Sequence, residues 1–186
     1  MSEGLQIQGL SALVLTISDR SAAGERQDAS GDAIGERLQR LGLAVERLVV
    51  PDDRRRISGA LIAGTSRHRL VVTTGGTGLT PRDVTPQATA DVIDYEVPGL
   101  AEAMRAEGRR HTPMADLSRG LVGVRGRSLV VNLPGSPKGA TESLEAIVPT
   151  LGHALETLAG PFDHQSHAGR PDLPRGDAQR TRAGSA

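Results

Sequence analysis

The most constraining feature of the sequence is an apolar segment that runs directly into a cluster of glycines. Leu70–Thr74 is apolar and β-branched, as expected of a buried strand, and three glycines follow within four residues, Gly75, Gly76 and Gly78. The backbone can turn sharply there and leave its amide groups exposed. A helix is predicted to begin at Thr85–Pro86, with the threonine as cap and the proline in the first helical position. This order of strand, glycine turn, polar loop and helix is typical of phosphate sites, although a plain chain reversal also fits.

Polar side chains follow the glycine turn. Thr77 and Thr80 supply hydroxyl groups, Arg82 supplies a planar set of donors, and Asp83 is a single carboxylate. Two common nucleotide-binding fingerprints are absent from the sequence: the dinucleotide pattern G-x-G-x-x-G does not fit this run, and the P-loop pattern G-x-x-x-x-G-K-[ST] does not occur. The turn therefore does not indicate a Rossmann oxidoreductase or a P-loop enzyme.

Strand-like and helix-like segments alternate along the chain. The predicted strands Ser11–Ile17, Ala44–Val50 and Leu70–Thr74 are separated by segments with helical spacing, 30–41 and 54–63. This alternation predicts an α/β fold with a mostly parallel central sheet and helices on both faces. Further on, the sequence predicts helices at 85–93 and 100–108, a helical turn at 114–119, an antiparallel hairpin of strands 121–125 and 128–133, and a last helix to Gly160 that Pro149 kinks or interrupts.

Several strand ends carry polar residues. Ser18–Asp19, Pro51–Asp52 and Gly75–Gly76 each follow a predicted parallel strand, and Ser136 with Pro137 begins the last helix. Ligands of such sheets bind beyond the carboxyl ends of the strands. We therefore expect these loops to converge on one site at that edge.

Composition excludes several classes of protein. The 186-residue chain has 22 basic and 22 acidic residues, so it has no overall field to attract nucleic acid or a membrane. It has no cysteine for disulfides or thiolate metal sites, no metal-ligand spacing among its histidines, and one Tyr and one Phe, too few for base stacking. No segment has the roughly 20 apolar residues of a membrane span. We expect a cytoplasmic protein with one domain at 1–162 and a disordered tail at 163–186.

Four motifs occur in order along the chain and together resemble a known family. The motifs, 73–78, 81–86, 117–119 and 132–137, read T-T-G-G-T-G, P-R-D-V-T-P, L-S-R and N-L-P-G-S-P. This combination resembles the MoaB/Mog family of molybdenum-cofactor biosynthesis, the molybdopterin adenylyltransferases. The resemblance implies a three-layer α/β/α molybdopterin-binding fold that assembles as a homotrimer. It also implies transfer of AMP from Mg-ATP to the phosphate of molybdopterin with release of pyrophosphate, before handover to a metal-inserting enzyme.

The resemblance also implies roles for particular residues. The two critical aspartates of the family fall on Asp52 and Asp83, which are the implied catalytic residues, and its adenylate-contacting serine falls on Ser118. The family often has Asn where this chain has Ser136, and a different residue at Lys138. The implied substrate-binding positions are Ser18, Asp19, Gly75, Gly76, Thr77, Gly78, Arg82, Ser118, Pro134, Gly135 and Ser136.

Other interpretations of the same residues remain open from sequence. Asp52 could be the N-cap of the helix that starts at Arg54, and Asp83 could be a turn residue. Asp19 and Asp28 flank a polar loop, where they contact either substrate or only solvent. At the level of function, the alternative is a molybdopterin-binding or carrier module without turnover. The presence of both Asp52 and Asp83 favours the enzyme.

Overall fold

A six-stranded mixed sheet forms the centre of the computed structural model, which describes residues 7–160. The strands are β1 (Ser11–Ile17), β2 (Ala44–Val50), β3 (Leu70–Thr74), β4 (Tyr95–Glu96), β5 (Val122–Arg125) and β6 (Ser128–Leu133). Their order across the sheet is β2-β1-β3-β6-β5-β4, and the first four are parallel. β5 is antiparallel to both neighbours. The predicted α/β class and its antiparallel element are confirmed.

The register of the parallel strands brings their carboxyl ends to one edge. Thr74, the last residue of β3, lies opposite Thr16 of β1 and Leu133 of β6, and Ile17 lies opposite Val50 of β2. Because β5 runs the other way, its first residue also lies at this edge. The loops after β1, β2, β3 and β6 therefore start side by side, and the loop before β5 joins them.

Helices cover both faces of the sheet. One apolar layer contains Ile34, Met104 and Leu144, and the other contains Ile57 and Ala88. The first layer is formed with helices α2 (Ala29–Arg40), α5 (Pro98–His111) and α6 (Pro137–Ala159), and the second with α3 (Arg54–Thr65) and α4 (Thr85–Ala90). β1 and β3 are buried on both faces, which explains their continuous apolar sequences. The three-layer α/β/α prediction is confirmed.

The structure corrects several details of the predicted elements. Pro149 lies inside α6 without interrupting it, and Gly64 does not end α3, because that helix continues to Thr65. Two short elements were not predicted: helix α1 (Asp19–Ala22) and strand β4. The predicted turn at 114–119 is a 3₁₀ turn at Pro113–Leu117.

Two further expectations concern membrane spans and the C-terminal tail. None of the helices within residues 7–160 is long and apolar enough to cross a membrane. The predicted tail at 163–186 and the domain limit at 162 lie outside the described residues.

Candidate active site

The glycine turn after β3 has a backbone that only glycine fits. Gly75 and Gly76 have φ angles of +98° and +65°. A Cβ on Gly75 would lie 2.4 Å from the carbonyl oxygen of Ile17, and one on Gly76 would lie 2.3 Å from Thr85 Oγ1. The turn therefore packs tightly between the end of β1 and the start of α4.

The role of Thr85 differs from its predicted role as a helix cap. The N-cap of α4 is Val84, which makes no side-chain cap bond, and Thr85 is the first helical residue. Its hydroxyl group instead donates to the carbonyl of Gly75 at 2.9 Å, and its backbone N–H donates to the carbonyl of Gly76 at 3.1 Å. The capping prediction was wrong because the hydroxyl group is used to hold the glycine turn.

A polar cavity of about 380 Å³ lies on one side of the glycine turn, beyond the ends of β1 and β3. β2 adjoins β1 on one side and β3 adjoins it on the other, so the cavity lies where the strand order reverses. Its wall includes Asp52, and its floor contains Thr16, Asp28 and Ser30. From here on we call it the polar cavity.

Reciprocal hydrogen bonds join the loops after β1 and β2. The backbone N–H of Asp19 donates to Asp52 Oδ2 at 2.9 Å, and the backbone N–H of Asp52 donates to Asp19 Oδ1 at 3.0 Å. Arg82, from the loop after the glycine turn, contacts the other oxygen of Asp19. Three strand-end loops are thus linked at one place, as the sequence predicted.

The N-cap of α3 is Asp53 and not Asp52. Asp53 Oδ1 accepts from the backbone N–H of Arg56 at 2.9 Å. The interpretation of Asp52 as a cap was therefore wrong. Asp52 Oδ1 instead faces the glycine turn, since a Cβ on Gly76 would lie 3.5 Å from it.

A second, apolar cavity of about 290 Å³ lies on the other side of the turn. Met104, Met114 and Leu117 contribute apolar surface to it, while Ser118 and Arg105 contribute polar groups. We call it the apolar cavity. Arg105 also donates from Nη1 to the carbonyl of Gly120 at 3.1 Å, which fixes its guanidinium group beside the cavity.

The two cavities share one residue, Ser136, at the start of α6. Its hydroxyl oxygen accepts from the backbone N–H of Gly139 at 3.2 Å, so it caps the helix as predicted. The next residue is Pro137, in the first helical turn. The N-terminus of a 23-residue helix, with its partial positive charge, therefore points at the junction of the cavities.

Asp83 makes the contacts of a turn residue. Its Oδ2 accepts from the backbone N–H of Thr80 at 2.8 Å and from the Thr80 hydroxyl group at 2.6 Å. Burial alone would raise the pKa of Asp83, but hydrogen bonds from Thr80 and the Gly78 amide, with the nearby charge of Arg119, lower it below the usual value. Asp83 is therefore ionised at neutral pH, and it anchors the loop against Gly78.

Arg119 was not singled out by the sequence, yet it clamps the same loop. Its Nε donates to the carbonyl of Gly78 at 2.7 Å and its Nη2 donates to the carbonyl of Asp83 at 2.5 Å, while its backbone N–H donates to the carbonyl of Thr77 at 2.9 Å. The planar fork of arginine suits two carbonyl acceptors at once. Its position directly after Ser118 in a recognised motif was the only signal available.

The structure sorts the predicted site residues into three groups. The polar cavity is lined by Ser18, Asp52, Gly75, Gly76, Gly135 and Ser136. The apolar cavity is lined by Thr77, Gly78, Ser118, Pro134 and Ser136. Among the described residues, Asp19, Arg82 and Asp83 border these loops without lining either cavity.

Sequence reasoning missed residues in both cavities. It did not place Thr16, Ser30, Met104 or Arg105 in a site. Thr16 gave a weak signal, because it is a polar residue near the end of an otherwise apolar strand. The residues from α5 gave none, since their helical spacing is that of an ordinary core helix.

The fold and the paired cavities define an α/β domain with a glycine turn and two adjoining cavities at the carboxyl edge of its sheet. The family model described as "Probable molybdopterin binding domain" matches residues 13–153. The chain belongs to this family, as its four motifs predicted.

The relatives with similar sequences are named as proteins of molybdenum-cofactor synthesis. The "Molybdopterin adenylyltransferase" of Helicobacter pylori strain J99 is 40% identical over 154 residues, which are 80% of this chain and 88% of that protein. The protein of the same name from Escherichia coli K12 is 37% identical over 147 residues, 76% and 75% of the two chains. Both relatives are thus named as adenylyltransferases, which are enzymes.

Solved structures agree with this family. The molybdopterin biosynthesis enzyme MoaB from Thermus thermophilus has 52% sequence identity and a TM-score of 0.74, covering 81% of this chain and 97% of that one. The molybdopterin biosynthesis Mog protein from Mycobacterium ulcerans has 39% identity and a TM-score of 0.77, covering 81% and 99%.

Proposed function

We propose that this chain is a molybdopterin adenylyltransferase, which transfers AMP from Mg-ATP to the phosphate of molybdopterin and releases pyrophosphate. The observation that carries the proposal is the pair of cavities that meet at Ser136, with the glycine turn between them. Such an arrangement suits two substrates whose phosphates must meet while their other parts remain apart. The names of the relatives support the same reaction.

The chemistry requires two anions to approach each other. An oxygen of the molybdopterin phosphate attacks the α-phosphorus of ATP, the bond from that phosphorus to the oxygen bridging to the β-phosphorus breaks, and pyrophosphate leaves. The product is a diphosphate that joins molybdopterin to AMP. Catalysis of this kind depends on holding both substrates in line and neutralising charge, with little covalent help from the protein.

The residues at the junction fit this task. The glycine-turn amides and the N-terminus of α6 at Ser136 are suited to hold phosphate groups. Arg105 offers a fixed cation at the edge of the apolar cavity. Ser118, which lines that cavity, is the candidate for contact with the adenylate. Asp83 would keep the glycine loop in position.

Asp52 is the candidate for contact with the magnesium of Mg-ATP. Magnesium prefers one or two carboxylates together with substrate phosphates and water. Asp52 presents a carboxylate oxygen beside Gly76, where such an ion would meet the phosphates. Within residues 7–160 there is no group of three or more His, Asp or Glu side chains that could hold an ion alone. We therefore propose that magnesium arrives with ATP as part of the substrate.

The alternative is a module that binds or carries molybdopterin without turnover. It is favoured by the occurrence of similar domains in longer proteins: the chain matches only 25% of the Drosophila melanogaster "Molybdenum cofactor synthesis protein cinnamon" and 21% of Dictyostelium discoideum gephyrin. A domain of this fold can therefore serve within larger assemblies.

One experiment separates the two functions. The purified chain is incubated with molybdopterin, Mg²⁺ and ATP. Pyrophosphate release is followed over time, and the mass of the pterin product is measured by mass spectrometry. The enzyme is expected to release pyrophosphate only when molybdopterin is present, and to increase the mass of the pterin by one AMP unit. Binding of molybdopterin without either change would support the carrier module and contradict the enzyme.

We also propose a homotrimer that acts in the cytoplasm and hands its product to a metal-inserting enzyme, as the family resemblance implies. Apolar side chains that are exposed in the single chain, such as Leu48 on the outer strand β2 and Ile62 on α3, offer surface for association. Sedimentation equilibrium is expected to give three times the chain mass of 19.4 kDa. A mass of 19.4 kDa at micromolar concentration would contradict the trimer.

A further inference from the structure

A chain of hydroxyl groups ends on a carboxylate at the floor of the polar cavity. Thr16 Oγ1 lies 2.6 Å from Asp28 Oδ2, Thr74 Oγ1 lies 3.4 Å from Thr16 Oγ1, and Ser30 Oγ lies 3.3 Å from Thr74 Oγ1 and 3.4 Å from Asp28 Oδ1. All four residues line the polar cavity. Thr16, Ser30 and Thr74 are nearly or fully buried, so their hydroxyl protons have few alternative acceptors.

Asp28 is held in place from several directions. Its Oδ1 accepts from the backbone N–H of Gly31 at 2.9 Å as the N-cap of α2, and its Oδ2 accepts from Arg47 Nη2 of β2 at 2.9 Å. Burial would raise the pKa of Asp28, but the bonds from Thr16, Gly31 and Arg47 outweigh it and lower the pKa below its usual range. At neutral pH Asp28 is therefore an ionised group that only accepts hydrogen bonds.

The direction of each hydroxyl proton follows from this charge. Because Asp28 can only accept, the Thr16 proton must point at it. The Thr16 oxygen can then accept from Thr74. The single Ser30 proton is directed at either Asp28 Oδ1 or Thr74 Oγ1, and both acceptors lie inside the cluster. In either arrangement the hydroxyl protons are used inside the cluster. Thr74 is fully buried, whereas Thr16 and Ser30, which are 4% and 8% exposed, offer the cavity only lone pairs.

We propose that Asp28 is a specificity-determining residue, which orients the Thr16, Thr74 and Ser30 hydroxyl groups so that the floor of the polar cavity accepts a neutral N–H or O–H group of a substrate and excludes phosphate. The phosphates are held at the rim, by the glycine-turn amides and the start of α6. The identity of the donor rests on the proposed function. Both proposed substrates carry such donors: adenine and pterin each have an exocyclic amino group, and the ribose has hydroxyl groups.

The substitution Asp28→Asn tests the proposal by reversing the polarity of the floor. Asparagine is as good an N-cap as aspartate, so its amide oxygen keeps the bond to the Gly31 amide. Its amide nitrogen replaces the oxygen beside Thr16 and donates, so the hydroxyl protons turn toward the cavity. Asp32→Asn is the matched control, because Asp32 lies on the same helix, also contacts Arg47, and makes no hydrogen bond to these hydroxyl groups.

Three probes are titrated against the full chain by calorimetry: AMP, a soluble pterin, and pyrophosphate. Asp28→Asn is expected to weaken binding of AMP or of the pterin by roughly tenfold, and to leave pyrophosphate binding unchanged or stronger. The probe that loses affinity identifies the source of the donor. Asp32→Asn is expected to change each affinity by less than about twofold. Loss of pyrophosphate affinity in Asp28→Asn, or unchanged affinity for both AMP and the pterin, would overturn the proposal.

A second variant covers the case in which Asp28→Asn does not fold. Thr16→Val has a similar shape and removes one oxygen of the floor without changing charge. It is expected to weaken binding of the same probe and to leave pyrophosphate binding unchanged. Wild-type affinity of this variant for all three probes would overturn the proposal. Failure of the proposed function has a different signature, because wild-type protein would then release no pyrophosphate from ATP and molybdopterin. If the wild-type protein catalyses the reaction and the variants bind all probes with wild-type affinity, only the role of Asp28 is refuted.

Discussion

At the scale of single residues, the glycine turn depends on positions where a side chain has no room. Gly76 has a left-handed backbone and lies against the Thr85 hydroxyl group. Gly76→Ala is expected to lower the free energy of unfolding by about 2 kcal/mol or more, from backbone strain and from the displaced Thr85. Urea unfolding measures this change. The matched control is Gly59→Ala, at an exposed site of α3 with no atom near the added Cβ, which should stabilise the protein by about 0.5–1 kcal/mol. Equal effects at both sites would contradict the described turn.

The lowered pKa of Asp28 predicts how stability changes in acid. A carboxyl group whose pKa is lower in the folded state than in the unfolded state stabilises the protein above the unfolded pKa, which is 3.8 for an ordinary aspartate. That contribution is lost as pH falls from about 4 through the folded pKa. The difference in unfolding free energy between wild type and Asp28→Asn should therefore be constant from about pH 5 to 8 and shrink below about pH 4. Urea unfolding at a series of pH values measures it, and a constant difference down to about pH 3 would refute the lowered pKa.

At the scale of elements, Pro149 is an exposed position where the helix tolerates an unfavourable residue. Proline inside α6 has no N–H for the carbonyl of Glu145, four residues earlier. Pro149→Ala is expected to stabilise the protein by about 2 kcal/mol in urea unfolding, after allowing for the greater freedom of the unfolded chain. Thr150→Ala, its exposed neighbour, should gain only about 0.5 kcal/mol from helix propensity. Equal gains for both would mean that proline costs this helix nothing.

The strands were predicted more accurately than the helices. β1, β2 and β3 have the predicted limits, because Pro, Gly or polar residues that follow each β-branched segment define its end. Helix limits depend on tertiary contacts that sequence does not reveal. Gly64 lies within α3 at a close contact with β1, where a Cβ would lie 2.7 Å from Leu13, so glycine is there for packing and does not end the helix. The two-residue strand β4 is defined only by its pairing with β5.

At the scale of the whole molecule, the position of the site was predictable and its internal polarity was not. Asp52 and the glycine turn could be placed together because parallel strands end at one edge. The separation into a polar and an apolar cavity depends on α5 and the 3₁₀ turn, which pack there from distant parts of the chain. Likewise, the alignment of Thr16, Ser30 and Thr74 on Asp28 requires the register of β1 with β3 and the position of α2.

The most direct test of the account compares two adjacent aspartates in the adenylyl-transfer reaction. Asp52 lines the polar cavity, whereas Asp53 caps α3. With molybdopterin and Mg-ATP, single-turnover pyrophosphate release should fall about 100-fold or more in Asp52→Asn, because the carboxylate proposed to contact the magnesium of Mg-ATP is lost. Asp53→Asn should stay within about twofold of wild type, since asparagine also caps helices. Wild-type rates in a folded Asp52→Asn variant would contradict the central claim.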